Sequence, residues 1–462
     1  MKISVLCGSP KSDDLSVTMQ YVRYIQKRFP DHSLEIINIS RSIRDIEKDE
    51  EKLRKIAESV KSSDGVIWAF PVYIWLVPYQ YKRFIELIAE KDLAGAFKGK
   101  YAAVLSSSIH FFDNTAVDYM NAICDDLDMK YLGSFSADMY DLLRPKERER
   151  LRLFAEYLFE SIKNRIPTAK RYNPVAGITV DYQPGEALNK VDASGEKIVV
   201  LTDCSDETSN LGKMVRRFRN SFSGDVEIFN INDVNIKGGC LGCLSCTVDN
   251  VCVYDESDKF SEFYKTKLKT ADIIVFSGTI VDRYLSSRWK LFFDRTFFYN
   301  HVPTLVGKQI AFIVSGPLNQ IPDIRHIFEA HLAIHKANVV DFVTDENRDS
   351  VTIDERLQNL AYHLMWFAGK GYKKTATFPD IAGMKIFRDN VWGRLRIVLQ
   401  ADHEYYKRHG FYDYPRRNIK TKITDALVIA LNKIPAIRKE FSKKIAAEMV
   451  KPLKKVLNVK SL

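Results

Sequence analysis

The chain has 462 residues, 46% hydrophobic and 12% aromatic, which excludes extended disorder and supplies enough apolar side chains for two ordinary cores and something more. Its net charge of +10 is confined to one end: residues 415–462 carry 13 Lys/Arg against 3 Asp/Glu, and the remainder is neutral, so the main body asks for no nucleic acid. The opening apolar run ends at Cys7, too short for a secretory leader, and the late run Ala426 to Leu431 is too short to span a bilayer, so a cytoplasmic location is expected.

In chain order the first element is the short β-rich run Lys2 to Leu6, followed by a polar turn and a helical pattern. Further apolar runs follow at Ser33 to Ile39, Asp64 to Ala69 and Ala102 to Leu105, with a helical pattern around Lys82 to Glu86. The same order then returns. Lys197 to Leu201, Asp225 to Ile231, Asp272 to Ser277, Lys290 to Asp294 and Gly307 to Ile313 each match one segment of the first half. Five matches in one order indicate a duplicated domain. Continuous rather than alternating apolar runs, separated by helices, indicate parallel sheets covered on both faces. Between the copies, residues 166–196 have the Pro and Gly content of a linker.

The copies differ in two places. Matched positions are offset by 192 at Glu35/Glu227 but by 208 at Lys82/Lys290, so the second copy gains 16 residues between these points. Inside that gain lie Cys240, Cys243, Cys246 and Cys252, spaced C-x2-C-x2-C-x5-C, whereas the first copy has only the charged stretch Arg41 to Glu51. Three thiols in one tight turn and no histidine favour a [4Fe–4S] cube over zinc, which usually takes separated pairs; inert thiols are the third reading. Gly238, Gly239 and Gly242 would let the backbone approach sulfur closely. Cys7, Cys124 and Cys204 read as small core residues.

The second difference is the first turn. In the first copy Gly8-Ser9-Pro10-Lys11 leads to Ser16, Val17 and Thr18 at a helix start, where backbone N–H groups and hydroxyls suit a phosphate, provided Asp13 and Asp14 point away. In the second copy the turn is Thr202 to Asn210, with three carboxylates and no Lys; Ser205, Ser209, Asn210 and Arg283 are all that remain for an anion.

The first-copy turn resembles the phosphate loop of the NAD(P)H-dependent FMN reductase branch of the flavodoxin superfamily, and Pro71-Val72-Tyr73 before Lys82-Arg83-Phe84 extends the resemblance. It implies FMN on Ser9, Lys11, Ser16, Val17 and Thr18, with Pro71, Val72, Tyr73 and Ile74 beside the ring and Ser106, Ser107 and Ser108 as the remaining flavin loop. The cysteine segment resembles the compact motif of the iron–sulfur flavoprotein family, which implies a [4Fe–4S] cluster on the four cysteines. The expected fold is α/β: two tandem flavodoxin-like doubly wound parallel sheets and a helical C-terminal extension. The expected boundaries are 1–165, 166–196 as linker, 197–372 and 373–462.

The expected activity is electron movement between NAD(P)H, FMN and the cluster, with one FMN per chain and the two copies packed as a pseudo-dimer. The alternatives are a non-catalytic electron carrier or redox sensor, and a cluster-free FMN or quinone reductase. Partners are a small-molecule or protein electron donor or acceptor, and a homo-oligomer is open. Ile437, Phe441, Ile445 and Met449 among many Lys and Arg outline a basic amphipathic helix, either packed on the body or facing a membrane surface or an acidic partner. The aromatic stretch Trp392 to Tyr414 would cap the flavin, build a dimer interface, or simply pack.

Overall fold

The computed structural model describes residues 1–177, 180–413, 419–431, 433–437 and 440. Residues 1–405 form one compact unit that holds both repeats, and residues 406–462 form a second. The basic helix expected around Phe441, Ile445 and Met449 lies outside the described residues.

The apolar runs become strands because their residues are buried on both faces. β1 (Lys2–Cys7), β2 (Ser33–Asn38), β3 (Gly65–Pro71), β4 (Tyr101–Ser108) and β5 (Lys130–Asp138) pair in parallel in the order β2-β1-β3-β4-β5. In the linker a two-residue strand, β6 (Val191–Asp192), pairs with β8 (Phe222–Ser223). The second large sheet is built from β7 (Ile198–Thr202), β9 (Val226–Asn230), β10 (Ile273–Thr279), β11 (Gln309–Ser315) and β12 (Asn338–Thr344). Its order, β12-β11-β10-β7-β9, is the same topology read from the other edge. A fifth strand, β5 or β12, completes each sheet beyond the four that the repeat outlined.

Each sheet has its own core. Ile3, Val5, Ile67 and Ala103 anchor the first, and Ile198, Val200, Val275 and Ala311 the second. Ser16 caps the helix Val17–Arg28 by accepting from Met19 N, and Ser209 caps Asn210–Asn220 by accepting from Gly212 N. Among the described residues no helix is long and apolar enough to cross a membrane.

The copies meet through the equivalent helices that follow β3 and β10, Tyr79–Glu90 and Ser287–Thr296. The contact is reciprocal. Glu86 of the first helix accepts from Ser287 N at 2.6 Å, at the start of the second. Asp294 of the second accepts from Tyr79 N at 2.7 Å, at the start of the first. Each carboxylate thus satisfies an orphan amide and the positive end of the opposite helix. Each also holds a buried lysine one turn earlier on its own helix: Lys82 to Glu86 at 2.7 Å, and Lys290 to Asp294. Lys82 reaches on to Asp282 of the other copy at 2.9 Å, and Lys290 donates to the Tyr73 carbonyl at 2.8 Å. Arg283 forms a two-pronged pair with Asp126 at 2.7 Å, sealing the rim of the same interface.

Burial works against the charge on Glu86, but Lys82 and the Ser287 donors outweigh it and hold its carboxyl below the usual range. A depressed folded value means this stabilisation is complete above the unfolded carboxylate value of about 4.3 and is lost as pH falls through the folded value. Glu86→Gln is expected to cost about 3 kcal/mol in urea unfolding at neutral pH. It should also flatten the acid limb of the stability profile. A variant as stable as the parent would show that the reciprocal caps do not hold the copies together.

Candidate functional site

The loops after β1, β3 and β4 converge at the carboxyl end of the first sheet, where ligands of open parallel sheets bind. Gly8 draws the first loop tight: its N–H donates to Ala69 O at 2.7 Å, and a Cβ there would lie 2.7 Å from that of Phe70. Ser9, Ser16 and Thr18 are buried in this loop and helix start. Thr18 Oγ1 meets Ser107 Oγ at 2.7 Å, joining the β1 and β4 loops, and Ser108 Oγ accepts from His110 N. The two acids turn outward as required. Asp14 pairs with Arg23 at 2.8 Å, and Asp13 faces Asn38 and Arg41.

After Pro71, the Val72 amide donates to Ser107 O at 3.0 Å. Tyr73 and Leu76 then exchange both backbone hydrogen bonds around Ile74 (φ +41°) and Trp75 (φ +61°). A two-residue turn with both central residues left-handed normally takes Asn-Gly. Placing a β-branched Ile and a Trp there stores about 1–3 kcal/mol at each, a cost found at ligand clamps. The nearby buried Trp75 Nε1 and Ser106 Oγ have no hydrogen-bond partner among the described residues. Orphaned donors in a converging loop set are what a polar-edged ring would satisfy, so the residues present fit FMN.

The second copy's equivalent region is filled from within. Ser315 is the counterpart of Ser107 at the same offset of 208. It donates to the fully buried Asp345, which also accepts from Gly316 N at 2.9 Å and Asn210 Nδ2 at 2.9 Å. The linker lies over the same end: Tyr182 N donates to Asn210 Oδ1 at 3.0 Å, and Ala176 N to Gln320 Oε1 at 2.9 Å. Arg283 is committed to Asp126 and does not face the acidic turn as the sequence suggested.

The cysteine segment follows β9. Cys240, Cys243, Cys246 and Cys252 line one cavity with Asp294, Arg295 and Asn300, and all seven cysteines are free. Burial pushes the Cys240 and Cys246 thiols up to about 12, and Cys252 in the same direction. Among the described residues no three His, Cys, Asp or Glu side chains are grouped so as to hold one metal ion. Gly242 brings the backbone to sulfur as expected, its N–H donating to Cys240 Sγ at 3.4 Å, and the glycines also serve a second approach. A Cβ on Gly242 (φ +60°) would fall 2.1 Å from the Tyr73 hydroxyl and 3.2 Å from Lys11 Cε, and one on Gly239 would fall 2.6 Å from the Tyr79 ring. They let the cysteine loop lie against the loops that follow β1 and β3 of the first copy.

Sequence reasoning missed what shapes this loop. Buried Arg295 makes a two-pronged pair with Asp258, donates to Gly238 O at 3.1 Å and points Nη2 at Cys252 Sγ, 3.8 Å away. It therefore ties both ends of the segment to one guanidinium. Asn300, itself left-handed (φ +51°), donates to Cys246 O at 3.1 Å. Lone polar residues on and after a helix give no spacing signal. The extension covers the same end of the first copy. Phe387, on the helix Phe378–Trp392, packs on Phe111 (5.1 Å), Trp75 (6.2 Å) and His301 (3.7 Å), while Arg394 makes a two-pronged pair with Asp138.

Two parallel β2-β1-β3-β4-β5 sheets with converging strand-end loops define a tandem flavodoxin-like protein. The profile of NADPH-dependent FMN reductases matches twice, over residues 1–139 and 197–345, and the chain belongs to that family. No curated protein sequence matches. Similar solved structures include the apo form of NADH:FMN oxidoreductase (EMOB), at 19% identity and TM-score 0.30, covering 35% of this chain and 89% of that one. The NAD(P)H:(acceptor) oxidoreductase FerB from Paracoccus denitrificans is 18% identical, with TM-score 0.28 and 35% and 97% coverage. An FMN-dependent NADH-azoreductase from Bacillus anthracis, solved with FMN, is 16% identical, with TM-score 0.28 and 36% and 99% coverage.

Equilibrium titration of flavin-free chain should reach one FMN per chain. Thr18→Val combined with Ser16→Ala should weaken binding at least about tenfold, the worth of one hydrogen bond to a charged group. Saturation at two FMN would mean that Asp345 and the linker do not close the second site.

Proposed function

We propose that this chain is an NAD(P)H-dependent oxidoreductase with FMN on its first copy and a [4Fe–4S] cluster on the four cysteines of its second. The observation that carries this reading is the contact of Gly242 with Tyr73 and Lys11, which sets the cysteine cavity against the flavin loops. When bound, FMN takes two electrons as hydride and passes them singly, matching the one-electron capacity of a cluster.

The chain's own residues have distinct tasks. Ser9, Lys11, Ser16, Val17 and Thr18 would hold the phosphate, the Pro71–Ile74 turn would lie along the ring, and Ser106, Ser107 and Ser108 would complete the cradle. Lys290 fixes the Tyr73 carbonyl and Phe297 lies nearly parallel to the Tyr73 ring, so the second copy holds that turn in place. Phe387 and Phe111 exclude water from its outer side. The four cysteines line one cavity, and four thiolates on one short segment are the usual ligand set of a [4Fe–4S] cluster. Arg295 offers its guanidinium to one of those sulfurs.

Anaerobic purification followed by iron, sulfide and flavin assays tests the reading. About four irons and four sulfides beside one FMN are expected, and Cys246→Ser should lose the iron and retain the flavin. FMN without iron would return the chain to a cluster-free reductase. Slow reduction by NADH and NADPH with fast reduction by a separate reductase would make it a carrier. Arg295→Gln should lower the cluster's reduction potential, on the order of tens of millivolts, because a donor to sulfur stabilises the reduced state. An unchanged potential at full iron content would remove that role from Arg295.

A further inference from the structure

The charged stretch Arg41 to Glu51, which stands where the second copy has its cysteines, has no part in the site above. In the folded chain it meets the cysteine loop. Together they enclose a cleft of about 590 Å³, the size of a small-molecule site, lined by Pro10, Arg41, Arg44, Tyr79, Lys237 and Tyr254. Neither copy contains this cleft alone. Its first wall is the phosphate loop and the helix Ile43–Lys48, and its second is the glycine-rich approach to Cys240.

The lining is cationic and aromatic. Arg44 Nη2 and the Tyr254 hydroxyl converge on Gly238, standing 2.8 and 3.1 Å from the place where a Cβ would be. Arg295 packs behind the Tyr254 ring at 4.5 Å and holds it as a wall. The Tyr79 amide is fixed by Asp294. Among the described residues neither the Arg44 guanidinium nor the Lys237 ammonium has an ion-pair partner, and Arg41 has only a long contact of 3.9 Å to Asp13. Two uncommitted cations and a third held only by one long ion pair around one cleft invite a multiply charged anion, and guanidinium groups match phosphate oxygens in pairs. Tyrosine rings add flat apolar area for a base. The cleft runs from Pro10 to Leu241, the neighbour of Gly242, so it opens beside the flavin loops rather than elsewhere on the surface.

We propose that this cleft binds the phosphorylated adenosine end of the reduced nicotinamide dinucleotide, with Arg44, Arg41 and Lys237 around the ribose 2′-phosphate, so that NADPH is preferred over NADH. The proposal rests on the reductase reading for its consequence in turnover but not for binding. Its test therefore has two parts. In calorimetry on the FMN-loaded full chain, 2′,5′-ADP should bind at least tenfold more tightly than 5′-AMP or inorganic phosphate, and Arg44→Gln with Lys237→Gln should abolish that difference. In steady-state kinetics the same double variant should raise the ratio of the KM for NADPH to that for NADH at least tenfold. Equal binding of 2′,5′-ADP and inorganic phosphate would reduce the cleft to a plain anion site and overturn the proposal. So would a 2′,5′-ADP affinity that the double variant leaves unchanged. If neither nucleotide reduces the flavin while 2′,5′-ADP binds as expected, the reductase reading fails and the nucleotide site stands.

Discussion

The site depends on one reciprocal interaction. Glu86 and Asp294 each end a buried lysine–carboxylate pair and each cap the first turn of the opposite helix. Carboxylates are costly to bury, and what makes these tolerable is that every one of them has a lysine and a foreign backbone amide at once. Separating the helices would leave each lysine–carboxylate pair on its own helix but take from both helices the carboxylate that caps their first turn. The same interface carries the cysteine loop against Tyr73 and Lys11.

Duplication followed by divergence has given the halves different work. The first copy joins the Thr18 and Ser107 hydroxyls to each other, while the second commits Ser315 and Gly316 to Asp345 and lies under the linker. The second copy contributes an insertion and a helix instead. Lys290 and Phe297 hold the strained Tyr73 turn from outside, and Arg295 gathers the cysteine segment. A turn with Ile74 and Trp75 in left-handed conformations persists only when its surroundings over-determine it, and here those surroundings come from the other half of the chain.

Much of this was legible beforehand. Parallel strands buried on both faces must be continuous apolar runs, so the two sheets were readable from Lys2 to Leu6 and its repeats. The phosphate turn and the cysteine spacing are local patterns, and local patterns survive in sequence. Arg283 was misread because it sits at the right strand end but spends its charge on Asp126 across the interface. The glycines were read in part: the approach of Gly242 to Cys240 sulfur is local, but its approach to Tyr73 and Lys11 joins distant segments and leaves no pattern. Arg295 and Asn300 were missed because a single side chain that organises a distant loop leaves no periodic trace.

By itself, the sequence determined a duplicated flavodoxin-like chain, a Gly-Ser-Pro turn before the first helix in one half and a four-cysteine insertion in the other. It also held the key to the interface without revealing it: Lys82 and Glu86 recur as Lys290 and Asp294, but the match shows only common descent. Only the tertiary structure decided that these pairs cap one another, that the insertion lies on Tyr73 and Lys11, and that Arg41 and Arg44 line one cleft with Lys237. The physical reason is that strand burial and turn chemistry are set by near neighbours in the chain. Which charged groups share a buried space depends on contacts about two hundred residues apart, and those form only when the two sheets have packed.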